Sequence, residues 1–166
     1  MRVSRSLDEI EIIQNPALGA YILWRFGLGY QADDGRSALL PLSFLVLPLL
    51  LHRPTLDVIS STLKQSGLTL FAAKLGKERE NLLAVHERAL ALRPLTFQSI
   101  GLGINQHLLT LDYASTTIRA NALEDGARSP KIPERIKAFT GAAEKVGFWF
   151  SQLSYQQIGS ILAVEF

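Results

Sequence analysis

The chain contains no cysteine, which excludes a disulfide scaffold, thiolate metal ligands and a thiol nucleophile. An excess of one charge sign is missing too: seventeen Lys and Arg against fifteen Asp and Glu leave a formal net charge of +2. The pI near 9.0 reports only those two extra charges, whereas a dedicated nucleic-acid binder concentrates a basic excess on one face. Charged residues make up 19% of the sequence, below the roughly 25% of average globular domains. Disorder is excluded in turn, because 48% of the residues are hydrophobic and segments that stay unfolded are polar and highly charged. No apolar run reaches membrane-spanning length. Ala38–Leu51 (ALLPLSFLVLPLLL) covers fourteen residues, holds Pro41 and Pro48, and is closed by His52 and Arg53, where a spanning helix takes about 20 residues. It reads as a buried core helix. The opening MRVSRSLDEIEII turns acidic before any apolar core, unlike a signal peptide. The expectation is one cytoplasmic domain over residues 1–166 with no membrane segment. Its mean hydropathy of +0.17 then points to apolar surface normally covered by partner proteins.

Punctuation organises the chain. Asn15-Pro16 predicts a helix start, since Asn caps and Pro in the first turn loses no needed donor. Leu18, Tyr21, Ile22, Arg25 and Phe26 follow at helical spacing, and Gly27 and Gly29 are expected to end the helix. A polar loop carries Asp33, Asp34 and Gly35 before the apolar run, which Pro48 should kink or end. Arg53 to Gly67 predicts a short helix with Leu56, Ile59 and Leu63 inward, and Leu68–Leu75 a further apolar turn or two. Asn81–Leu92 and Leu95–Ile104 read as helices either side of Pro94. The period then switches to two: Leu108–Tyr113 and Thr116–Ala120 predict a β-hairpin.

Pro133 opens a long helix over about 133–153, whose Ile136, Phe139, Ala143, Val146, Phe150 and Leu153 form one stripe that leaves Phe148 and Trp149 aside. Ser154 and Gln157 form a capping-box pattern before a last short helix. The fold class that follows is mainly α with one β-hairpin, a winged-helix-like α+β single domain.

Catalytic and metal-binding patterns are sparse. His52, His86 and His107 lie far apart, and none sits in a metal-ligand spacing such as HExxH. Asp33-Asp34 and Glu124-Asp125 are adjacent acids in glycine-containing loops, a turn composition more than a catalytic one. Gly101 and Gly103 precede a strand and lack the third glycine of a dinucleotide fingerprint, and neither GxxxxGK[ST] nor GxSxG occurs. The expectation is no enzyme, no cofactor and no metal. A DNA-binding reading has the hairpin as wing, but Leu95–Ile104 carries no cation, and Lys74, Lys77, Arg79 and Arg88 alternate with Glu78, Glu80 and Glu87. Phosphate contacts need more than that.

Trp24, Arg25, Phe26, Tyr30, Phe148 and Trp149 remain as candidate partner-interface residues, because aromatics and Arg anchor protein interfaces. The alternative is that the aromatics fill the domain's own core.

The segments NPALGAYILWRFGLGY (Asn15–Tyr30), LPLSFLVLPLLLHR (Leu40–Arg53), STLKQSGLTLF (Ser61–Phe71), HERALALRPLTFQSIGLG (His86–Gly103) and AEKVGFWFSQL (Ala143–Leu153) resemble, in order, the middle components of bacterial three-component ABC systems. The middle subunit of Lamassu-type antiphage defence complexes is the best-known relative. The resemblance implies a small non-enzymatic adaptor between an SMC/Rad50-like ABC ATPase that senses DNA and an effector, often a nuclease, whose release it helps control. Contact with DNA would come through the complex, and no active-site residue carries over. Two other classes stay open: an autonomous winged-helix DNA-binding transcriptional regulator, and an enzyme should His86 converge with buried acids in a pocket.

Overall fold

The computed structural model of the chain describes residues 15–123 and 131–166. Asn15 caps helix α1 (Pro16–Gln31) as its type dictates: its Oδ1 accepts from the amides of Ala17, at 2.9 Å, and Leu18, at 3.4 Å. The helix does not stop at Gly27 and Gly29. Both glycines are interior positions where a neighbour leaves no room for a side chain: Ala120 lies against Gly27 and the Glu144 backbone against Gly29. Glycine here marks close packing rather than a helix end.

Ala38–Leu39 forms a short strand, β1, instead of starting the apolar helix. Its residues pair with Ile118 and Thr117, so the free edge of the hairpin captures the first residues of the run. A 3₁₀ turn, Leu40–Leu42, then leads into α2 (Ser43–Leu50). Leu45, Val46, Leu47, Leu49 and Leu50 of α2 are buried, each contributing about 1.5–3 kcal/mol relative to an exposed side chain. Pro48 lies inside α2, which ends two residues later. The chain bends by 100° into α3 (Arg53–Ser61), and no single described helix is long and apolar enough to cross a membrane.

Thr62 leaves α3 in an extended conformation, which breaks the helical spacing. Thr62 is therefore buried, donating to the Val58 carbonyl at 2.7 Å, and Leu63 points outward at 70% exposure rather than inward. Gly67 does not close α3. With a φ of +81° it opens α4 (Gly67–Leu75) after a 3₁₀ turn. Helices α5 (Arg79–Ala91) and α6 (Arg93–Asn105) follow, with Pro94 in the first turn of α6.

The hairpin forms as its alternation predicts, β2 (Leu109–Asp112) against β3 (Thr117–Ala120) with Leu111 opposite Ile118. The sheet is three-stranded and antiparallel, in the order β1-β3-β2. Gln31 ties it to α1: its side chain donates to the Ala120 carbonyl at 3.0 Å and accepts from the Ala120 amide at 2.7 Å.

The long helix is shorter than its apolar stripe. A 3₁₀ turn, Glu134–Ile136, precedes α7 (Lys137–Ser151). The capping box is present, Ser154 and Gln157 bonding each other's backbone amides at the start of α8 (Tyr155–Leu162). Among the described residues there are thus eight α-helices and one small sheet. The core lies around α1, which packs against α7, α6, α2 and β3.

Candidate partner interface

Four of the six residues singled out from the sequence are core residues. Trp24, Phe26, Tyr30 and Trp149 are all buried. The cause is the number of neighbours: α7 packs on α1 along one side and on α2, α3 and α4 along others. A residue off its main apolar stripe still meets protein. Trp149 is 1% exposed, stacks on Phe71 with ring centroids 5.4 Å apart, and donates its indole N–H to the Lys64 carbonyl at 2.8 Å. Trp24 donates to the Asn121 carbonyl at 2.8 Å. Phe26 packs edge-on against Phe150, and burial holds the Tyr30 hydroxyl above its ordinary pKa. Arg25 is half-buried and pairs with Glu144, while half-buried Phe148 lies beneath the Lys64 ammonium, 4.4 Å away.

The cations weighed for a DNA-binding patch are largely engaged within the fold. Arg88 turns inward to the Pro48 carbonyl and the Thr55 hydroxyl at 3.2 and 3.3 Å, and desolvation lowers its pKa. Lys74 and Lys145 donate to the Ser61 and Ile59 carbonyls at the end of α3, where cations are favoured. Burial first, and Lys74 second, hold Lys145 below its ordinary value. Arg119 of the hairpin donates to the Gly35 carbonyl at 3.0 Å.

Asp34 folds back on Arg36, and Glu124 and Asp125 lie outside the described residues. No group of three or more His, Asp or Glu suited to a metal ion occurs among the described residues.

The accessible apolar surface lies elsewhere. Leu83, Leu90 and Phe97 are 52%, 55% and 58% exposed, and Ile104 continues the same seven-residue spacing. Helix α5 buries only Val85 fully, so it carries apolar side chains on two faces. From Pro94 to Leu111 the sequence holds no Asp, Glu, Lys or Arg, although much of that stretch is solvent-facing. Leu90 and Phe97 line a groove of about 340 Å³ with Leu40 and Phe44 at the α2 end and with Tyr155 and Phe166 from α8 and the segment after it. Phe166 reaches it because Ala163 adopts a left-handed conformation, which returns the chain so that Phe166 stacks on Tyr155 at 4.0 Å. His86, Arg93 and Glu165 share this lining with Tyr155.

Sequence reasoning missed this face. Its signal was there, in the seven-residue recurrence of Leu83, Leu90, Phe97 and Ile104 across the Pro94 break. It was masked by the competing inward pattern of Leu82, Val85, Ala89 and Leu92.

No curated protein and no solved structure matches the chain. The family described as MC3, ABC-three component (ABC-3C) system Middle Component 3, matches it over residues 3–166. The chain belongs to that family, and is a middle component of an ABC three-component system.

Proposed function

We propose that the chain is the non-enzymatic adaptor of its three-component system. It joins an SMC/Rad50-like ABC ATPase that senses DNA to an effector such as a nuclease, within a cytoplasmic, Lamassu-like antiphage complex. The observation that carries this reading is the exposed apolar row of Leu83, Leu90, Phe97 and Ile104 on α5 and α6, free of charged residues from Pro94 onward. Interface cores are depleted in charge, and large exposed apolar patches mark interaction sites. Four of the six residues named from the sequence serve the core of the domain. Arg25 and Phe148 retain exposed atoms, on α1 and α7. The sheet order β1-β3-β2, with helices between β1 and the hairpin, supports the winged-helix-like reading.

Control of effector release follows if this chain binds the effector with different affinity in the two ATPase states, since only differential affinity shifts an equilibrium. The test is co-expression with the other two components of the system, purification through this chain, and weighing of the eluted species by light scattering. A defined complex containing the ATPase is expected. A lone monomer whose DNA affinity falls steeply with salt would replace the adaptor with an autonomous DNA-binding regulator.

A further inference from the structure

We infer that the groove along α5 and α6 receives an amphipathic helix from another protein component of the system. That helix carries bulky apolar side chains at seven-residue spacing and sets an acidic residue against Arg93. The inference rests on the adaptor reading and names the form of the partner.

Spacing argues for a helix. Leu83 and Leu90 lie two turns apart on one face of α5, about 10.5 Å along its axis. A partner helix with an apolar residue every seven positions repeats at that interval. An extended peptide repeats same-face side chains every 6.4–6.8 Å or so and falls out of step with the ridge. Phe97 provides the next anchor: it packs edge-on against Phe44 at 4.9 Å while most of its other face stays open. Bulky apolar side chains from a helix complete that contact, as aromatic anchors do at interface centres.

Charge and hydrogen bonding set the orientation. Arg93 is exposed and has no ion-pair partner among the described residues, and it lines the groove. An acid on the occupant satisfies it, whereas an acid beside Glu165 in the same lining, or beside Glu87, exposed between Leu83 and Leu90, is repelled. His86 lines the same groove, and its Nδ1 is buried without a hydrogen-bond partner among the described residues.

The experiment uses the full chain co-expressed with the other components. A photo-crosslinking residue at Leu90 identifies the segment that docks, and titration of purified components compares wild type with a Leu90→Ser/Phe97→Ser variant and with Arg93→Glu. The crosslink is expected in a helix with the seven-residue apolar pattern. The double serine variant is expected to lose affinity about tenfold or more, while the isolated chain still unfolds in one cooperative transition, its midpoint lowered only by loss of the Phe97–Phe44 contact. Arg93→Glu is expected to weaken binding, and reversal of the facing acid to Lys to restore it. Wild-type affinity in the double variant overturns the groove assignment while a formed complex leaves the adaptor reading standing. A crosslink into a second copy of this chain, or into a non-helical segment, also overturns it. Absence of any complex with the wild-type chain overturns the adaptor reading itself.

Discussion

Gly147 sits where α7 meets α1, and a Cβ there would strike the Phe26 carbonyl and the Tyr30 amide. Backbone cannot step aside as a flexible side chain can. Gly147→Ala is therefore expected to cost about 1–3 kcal/mol or more, seen as a lower denaturant midpoint with unchanged slope. Gly141, on the exposed side of the same helix, meets nothing within 4 Å. Gly141→Ala is expected to stabilise by about 0.5–1 kcal/mol, the usual gain of alanine over glycine inside a helix. Trp149→Ala removes a stacked ring and strands the Lys64 carbonyl; a loss of about 3–5 kcal/mol is expected. Any effect of that variant on assembly follows from unfolding, which a thermal melt of the isolated chain reads directly. The sequence marks Trp149 as a large aromatic off the main stripe, but its direction depends on whether a second neighbour covers that side of α7.

Local signals carry the elements well where a short stretch of chain supplies its own reason. Asn15 and the Ser154–Gln157 box cap helices through bonds made within three residues, and the hairpin follows from alternation. Strand β1 was hidden, because two residues pair only with a segment almost eighty positions away. At the start of α3, His52 shares a hydrogen bond of 2.7 Å with Thr55, and burial first, then nearby Arg88, lower its pKa from 6.5. Above its ordinary value the imidazole is neutral in both states and this contribution to stability is complete. As pH falls below that value the unfolded chain takes up the proton first, so stability declines toward the lower folded pKa and then levels off. Urea midpoints measured between about pH 7 and pH 5 are expected to fall more for wild type than for His52→Gln.

At the scale of the whole molecule, the groove is assembled from positions as distant as Leu40, Leu90, Phe97, Tyr155 and Phe166. Its occupancy is expected to separate two kinds of variant: changes at Phe97 and Leu90 lower affinity far more than they lower the melt, while a change at buried Trp149 acts on the melt itself. The sequence by itself determined the helical class, the caps, the hairpin and the family resemblance. Each of these depends on residues a few positions apart or on an ordered series of local segments. Only the tertiary structure decided which apolar side chains face inward. Helices α1 and α7 touch neighbours on several sides, so their burial is not confined to one periodic stripe. Helix α5 packs more thinly against its neighbours and keeps Leu83 and Leu90 in solvent. Composition predicts that apolar surface is in excess; the packing of helices distant in the chain decides where that excess is left uncovered.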